Sequence, residues 1–143
     1  MAERDYATLL AAYPTAILTT LGVDGHFRSR PMAMRQQVRG EGIWFATSID
    51  SEKCRDLEHD PHCALTFFDP AGGATISVSG VGEVIRDRKL VHELWDASWR
   101  AWFPEGPDQR DLALLRVIPE HVERREGNRA AEVLYSAPRR RRR

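Results

Sequence analysis

Short runs rich in β-branched and aromatic residues recur along the chain, and turn signals separate them. Asp24-Gly25 is a strong hairpin signal between the first two runs, and Gly40 and Gly42 mark the next turn. Strands joined by hairpins pair antiparallel, so the pattern predicts a mainly β fold, a mostly antiparallel β-barrel with a few short helices. Strands are expected at 15–22, 26–38, 42–47, 62–69, 74–85 and 112–125, with a little more at 131–136.

Three other segments have helical patterns, over 5–12, 51–59 and 87–99. Asp50 or Ser51 is expected to cap the second helix. The long strand candidate 74–85 has no charge before Glu83, so we expect it to be buried on both faces for much of its length.

Length and composition exclude several classes of protein. The chain has 143 residues, 42% of them hydrophobic and 29% charged, which suits one folded domain, expected over 1–137. There is no apolar run of about 18 residues, so no membrane span is expected. The N-terminus is charged and has no apolar signal core, which predicts a cytoplasmic protein.

Charge is unevenly distributed along the chain. Five of the 21 basic residues lie in 139–143, so the remainder has 16 basic against 21 acidic residues. A net negative body does not favour specific nucleic-acid binding. Five adjacent like charges repel one another, and we expect 138–143 to be a disordered tail.

The cysteines and histidines offer little support for a metal site. Cys54 and Cys63 are expected to be free thiols in a reducing compartment. His59, His62 and Cys63 lie close together in sequence, but Pro61 interrupts them and the two paired clusters of a zinc site are missing. No metal is therefore expected.

A strand-to-helix turn over 47–53 collects hydroxyl groups and a lysine. Thr47, Ser48 and Ser51 supply hydroxyl donors where the helix presents unpaired N–H groups and the positive end of its dipole. Lys53, in the first helical turn, is unfavourable against that dipole unless an anion lies nearby. This combination predicts an anion site, with phosphate as its natural ligand.

Arg30 provides a second cation for such a site. Strand alternation places it on the same face as Met32, and an arginine among apolar neighbours needs a partner. A phosphate held between Arg30 and Lys53 would supply one. Alternatively, Arg30 pairs with Asp50 or Glu52 and Lys53 is simply solvated; residue types alone leave both interpretations open.

The order of these motifs resembles the pyridoxamine 5'-phosphate oxidase-like flavoproteins, and is most similar to their bacterial general stress protein branch. The resemblance covers Ala16 to about Glu123. Its most specific pieces are the Arg-Pro-Met of the second strand, a Trp-Phe-x-Thr followed by Ser-x-Lys, and the loop Trp-Phe-Pro-x-Gly.

The resemblance implies an FMN-binding split β-barrel, a homodimer with FMN in two clefts at its interface, and oxidoreductase activity on a small-molecule substrate. It implies that Thr75 contacts the flavin of the partner subunit, and that the segment with Trp102 and Phe103 covers the flavin. The FMN contacts that it implies are Arg30, Pro31, Met32, Ala33, Met34, Ala46, Thr47, Ser48, Ser51, Lys53, Thr75, Trp102 and Phe103.

The chain departs from the vitamin oxidases in ways that make pyridoxamine phosphate oxidation unexpected. Their C-terminal arginine and histidine, which hold the substrate, have no counterpart here, and Arg35 stands where they place a substrate-contacting lysine. Arg124-Arg125 stands where the stress branch often has a tryptophan. No side chain is identified as a general base, so redox chemistry would belong to the flavin. A flavin sensor without turnover, or a deazaflavin protein on the same barrel, are the alternatives.

Overall fold

In the computed structural model, which describes residues 6–34 and 36–138, eight strands form one antiparallel sheet. The hydrogen-bonded order is β2-β1-β5-β6-β7-β4-β3, and β8 pairs with the far part of β7. The strands are β1 Ala16–Leu21, β2 Phe27–Pro31, β3 Gln37–Arg39, β4 Gly42–Ser48, β5 His62–Phe68, β6 Ala74–Ile85, β7 Leu112–Glu126 and β8 Glu132–Ser136. The expected mainly β, antiparallel fold is confirmed.

Short helices fill the connections between strands. They are α1 Tyr6–Ala11, α2 Glu52–His59 and α3 Arg88–Leu94, with 3₁₀ turns at Ala97–Ala101 and Gly106–Asp108. None of the helices in the described ranges is long and apolar enough to cross a bilayer.

Two expected elements are each divided in the structure. The strand expected over 26–38 ends at Pro31 and resumes as β3. The helix expected over 87–99 ends at Leu94, because the Asp96 carboxylate accepts a hydrogen bond from the Ser98 N–H and starts a new turn. Both expectations of a continuous element were wrong.

The core consists of two apolar clusters, which lie on opposite faces of β4 and β7 because neighbouring residues such as Trp44 and Phe45 belong to different clusters. The larger one includes Leu10, Leu18, Ile43, Phe45, Leu65, Phe67, Ile76, Val78, Leu115 and Val117. The smaller one, here called the tryptophan cluster, contains Trp44, Ala46, Val91, Leu94, Trp99, Phe103, Leu112 and Leu114. The pairing of β1 with β5 and of β5 with β6 brings inward side chains from all three strands into the larger cluster.

The opposite side of β2, β1, β5 and β6, here called the outer sheet face, is exposed. Burial alternates along β6, with Ser77 and Ser79 exposed, so the expectation of a strand buried on both faces was wrong for the single chain. The outer sheet face carries three exposed apolar side chains: Ile17 is 40% exposed, Phe68 53% and Phe27 77%. Glu83, near the end of β6, is a charged residue on this face and pairs with Arg116. The remainder of the face on these four strands is partly apolar, has no other carboxylate, lysine or arginine, and is open to solvent.

Candidate functional site

The end of β4 and the start of α2 each carry a buried hydroxyl group that has no hydrogen-bond partner among the described residues. Ser51 stands at the N-cap of α2 with φ −73° and ψ 154°, but its side chain makes no capping bond. Its Oγ is buried and unpaired among the described residues, and so is the Oγ1 of Thr47, a residue only 2% exposed. By contrast, Asp87 caps α3 through its side chain. Buried hydroxyls are normally satisfied, so this pair points to a missing partner.

Ser48 is differently placed. Its Oγ donates to Asp111 Oδ2 over 2.9 Å, and this bond, together with a stronger contribution from Gln109, lowers the pKa of the Asp111 carboxyl. A hydroxyl has one proton, so Ser48 has none left to donate to an anion in this arrangement.

Lys53 is half-buried and has no ion pair with any described residue. Burial is the main cause of its lowered pKa; Cys54 opposes the shift and the charge of Arg30 adds to it. The ammonium group is therefore partly desolvated and close enough to a guanidinium for the two charges to interact. Such a pair of cations is stabilised by an anion between them.

Arg30 points inward from β2. Of its two terminal nitrogens, only Nη1 makes hydrogen bonds to described residues. Its Nη1 donates to Thr20 Oγ1 over 2.7 Å and to the Arg28 carbonyl over 3.3 Å. Its Nη2 lies 3.6 Å from both Glu52 Oε1 and Asp56 Oδ2, and is buried without a hydrogen bond. The two carboxylates thus balance the charge of the guanidinium without forming hydrogen bonds to it, and Nη2 can still donate one.

Both interpretations of Arg30 therefore find some support. Glu52 does lie in ion-pair range of Arg30, as the alternative interpretation expects, whereas Asp50 forms no ion pair with it. The Glu52 side chain is 56% exposed and is shared with Arg28 at 3.7 Å. A long, exposed ion pair of this kind contributes little to the free energy of folding. An anion with better geometry could therefore replace the Glu52 carboxylate beside Arg30.

The segment expected to follow the flavin ring leaves the sheet at Pro31. Pro31 and Ala33 are exposed, and Met32 is buried with its N–H donating to the Ala16 carbonyl over 2.8 Å. Met34 is half-buried against the tryptophan cluster, which also contains Ala46. One side of this segment therefore faces solvent and the other is anchored in the core.

Three further expected contacts lie apart from Arg30 and Lys53. Thr75 is on the outer sheet face, opposite Phe68, whereas Arg30 is on the inner face. Trp102 is 59% exposed, and Phe103 is only 4% exposed inside the tryptophan cluster. Arg30 thus lies against α2, the helix that carries Lys53, whereas these three residues lie elsewhere in the single chain.

Trp95 and Trp99 pack in the tryptophan cluster. Trp99 is 3% exposed and Trp95 packs against the same cluster. Their rings meet edge to face with centroids 5.7 Å apart.

Sequence reasoning missed Thr20 and Asp56. Asp56 is 3% exposed and accepts a hydrogen bond of 2.8 Å from Thr20 Oγ1. Two sequence features could have identified them: Asp56 is a carboxylate next to Leu57 on the buried side of α2, and Thr20 is a threonine at an inward position of β1.

A cleft beside the β4–α2 turn, formed by described residues, does not include the two cations. It is open, has a volume of about 820 Å³, and is lined by Ile49, Asp50 and Asp111 among others, but not by Arg30 or Lys53. Within the described ranges, no cluster of three histidine, cysteine or carboxylate side chains is placed to hold a metal ion.

The antiparallel sheet with its short connecting helices agrees with comparisons to known proteins. Residues 2–136 match the family described as "Pyridoxamine 5'-phosphate oxidase like". The chain belongs to this family. The resemblance seen in the sequence is thereby confirmed.

Curated relatives of this family member include oxidases that are longer than it is. Protein bli-3 of Neurospora crassa is 28% identical over 79% of the chain and 59% of its own length. A pyridoxine/pyridoxamine 5'-phosphate oxidase of Neisseria meningitidis is 34% identical over 74% of the chain and 49% of its own length. The chain thus spans about half the length of the curated relatives it matches.

Solved structures confirm the split-barrel fold of this family member. A Clostridium acetobutylicum protein related to general stress protein 26 superposes with a TM-score of 0.80, at 20% identity, over 93% of this chain and 95% of that one. An F420 reductase superposes with a TM-score of 0.64, at 22% identity, over 83% and 96%. At these identities the likeness shows the fold alone.

Proposed function

We propose that this protein is a cytoplasmic FMN-binding oxidoreductase of the pyridoxamine 5'-phosphate oxidase-like family, acting on a small-molecule redox substrate. The observation that carries the proposal is the unpartnered set at the start of α2. Arg30 Nη2 and the hydroxyls of Thr47 and Ser51 are buried without hydrogen bonds, and Lys53 has no ion pair in the described ranges. One phosphate group would satisfy these donors together.

The chemistry of the donors fits a phosphate monoester. The free edge of the Arg30 guanidinium and the Lys53 ammonium supply positive charge, and Ser51 adds a neutral donor beside the α2 N–H groups. FMN, when bound, would supply the electron-transfer chemistry. The residues of the chain would hold its phosphate and present the exposed backbone at Pro31 and Ala33 to the ring.

The proposal includes a homodimer in which the outer sheet faces of two chains meet. Ile17, Phe27 and Phe68 leave apolar surface exposed there, and Thr75 lies on the same face. Two-fold pairing would cover that surface and bring Thr75 of one chain near the flavin of the other. We assign residues 1–137 to one flavin-binding domain; the tail 139–143 lies outside the described residues, as do Arg35 and Asp5.

The cytoplasmic assignment is supported by the cysteines. Cys54 and Cys63 are both buried and both free. Burial is the main cause that raises the pKa of the Cys63 thiol to about 12. Free thiols are typical of a reducing compartment.

Absorbance of the purified protein tests the proposal. We expect a yellow protein with flavin absorbance that bleaches under a nicotinamide reductant in the absence of oxygen. Bound flavin that resists reduction would favour the alternative of a sensor without turnover. Uptake of a deazaflavin in preference to FMN would favour the other alternative, which the F420 reductase fold makes worth testing. Failure to bind any flavin would contradict the proposal.

Removing the charge of Glu52 should strengthen FMN binding. Glu52 lies 3.6 Å from Arg30 Nη2 and 3.7 Å from Arg28 Nε, so it competes with a phosphate for the same cations. Glu52→Gln is expected to tighten FMN about twofold to fivefold and leave riboflavin unchanged, since the removed charge is exposed and screened. Glu58→Gln is the matched control, because Glu58 lies on the same helix but pairs with Arg86 over 2.9 Å. Equal tightening in both variants would show a general charge effect instead.

A further inference from the structure

Thr20 is a fully buried polar residue between Arg30 and a buried carboxylate. It is 0% exposed and lies on the inner face of β1, among the side chains of the larger core cluster. Its Oγ1 accepts from Arg30 Nη1 over 2.7 Å and donates to Asp56 Oδ2 over 2.8 Å. These two bonds link β2, β1 and α2, the three elements that surround the cation pair.

The direction of these bonds follows from the chemistry of the groups. An ionised carboxylate only accepts hydrogen bonds and a guanidinium only donates them. The single proton of Thr20 must therefore point to Asp56, which leaves an oxygen lone pair for Arg30 Nη1. Asp56 thus fixes the orientation of the hydroxyl, and the hydroxyl fixes which nitrogen of Arg30 is used inside the protein.

We propose that Thr20 and Asp56 are positioning residues that orient the Arg30 guanidinium toward the phosphate of FMN, an inference that rests on the function proposed above. Nη1 is held by Thr20 and the Arg28 carbonyl, so Nη2 is the nitrogen left free. A bidentate donor contributes its full strength only when its fork is held in the right direction. Neither Thr20 nor Asp56 needs to touch the ligand for this effect.

A contribution to stability alone would make a different prediction. Thr20→Val has nearly the same shape, removes the hydroxyl and leaves Asp56 without its donor, so some loss of stability is expected in either case. The ratio of riboflavin to FMN dissociation constants, measured on one sample, is independent of the folded fraction, because that fraction scales both constants equally. The ratio therefore reports on phosphate recognition alone.

The experiment measures both affinities by flavin fluorescence quenching in wild type, Thr20→Val and Thr20→Ser. We expect Thr20→Val to lower the preference for FMN over riboflavin about tenfold, the scale of one hydrogen bond to a charged group, and Thr20→Ser to restore it to within about twofold because it keeps the hydroxyl. An unchanged ratio in Thr20→Val, with wild type preferring FMN, would overturn the positioning role.

Asp56→Asn tests the role of Asp56 through the direction in which FMN affinity changes. Removing a negative charge near a phosphate would by itself strengthen FMN binding, as expected for Glu52→Gln. An asparagine both donates and accepts, so it no longer dictates the direction of the Thr20 proton, and the positioning role predicts weaker FMN binding. Tighter FMN in Asp56→Asn would therefore overturn the role of Asp56. A wild type that binds FMN no better than riboflavin would instead contradict the proposed phosphate site itself.

Discussion

Replacing Lys53 with methionine should weaken FMN binding about tenfold to a hundredfold, since a charge-assisted contact to phosphate contributes roughly 1.5–3 kcal/mol. Riboflavin has the same ring and no phosphate, so its affinity should stay unchanged. Methionine keeps most of the apolar stem, so the packing of α2 should be retained. Because the ammonium is already partly desolvated and is repelled by the charge of Arg30, removing it should not destabilise the empty protein.

Arg30→Lys should have a similar effect on the preference for FMN. A lysine keeps the charge but cannot both donate to Thr20 and present a second nitrogen in a fixed direction. Fluorescence titration of wild type and both variants with FMN and riboflavin checks the prediction. If Arg30 served only to pair with Glu52, Arg30→Lys would change the melting temperature and not the ratio of the two affinities. Equal losses for both flavins would place the phosphate elsewhere.

The positions of Arg30 and Lys53 in the fold could be predicted from sequence because the evidence for them is local. Lys53 lies in the first turn of a predicted helix, and strand alternation places Arg30 on the same face as the buried Met32. Thr20 and Asp56 could not be predicted in the same way. Their hydrogen bond joins residues 36 positions apart and depends on how α2 packs against β1. No pattern within either segment specifies that packing.

The divided elements show a second limit of local reasoning. The β propensity of 26–38 is continuous, but β2 ends at Pro31, although the Met32 N–H still donates to the Ala16 carbonyl in the register of β1 and β2. Trp95 and Trp99 have the spacing of one helix face, yet Asp96 between them caps a separate turn. In the second case a single side chain that competes for a backbone hydrogen bond outweighs the average propensity of its segment.

The exposure of β6 reveals what a sequence of one chain leaves open. Its lack of charge before Glu83 predicted a strand buried on both faces, but Ser77 and Ser79 are exposed in the single chain. Thr66, Ser77 and Ser79 on the outer sheet face are small and uncharged, and Ile17 lies opposite both Pro31 and Thr66. In the proposed dimer, a second chain would cover these side chains.

Introducing a charge at the centre of this face should separate the subunits. Ile17→Lys places an ammonium group at a position that is 40% exposed in the single chain and buried in the proposed dimer. Burying an unpaired charge at an interface costs several kcal/mol, so the dimer dissociation constant should rise about a hundredfold or more. Light scattering at micromolar concentration should give twice the 16.3 kDa chain mass for wild type and the single chain mass for the variant.

Val23→Lys is the matched control for this substitution. Val23 is an apolar residue with 68% exposure, but it lies in the turn between β1 and β2 and not on the outer sheet face. It should leave the dimer mass and the FMN affinity unchanged, whereas Ile17→Lys should lose FMN together with the dimer, because Thr75 of the second chain is removed from the cleft. A monomer that keeps full FMN affinity would show that one chain completes the site alone. A wild-type chain that is monomeric with FMN present would contradict the proposed assembly.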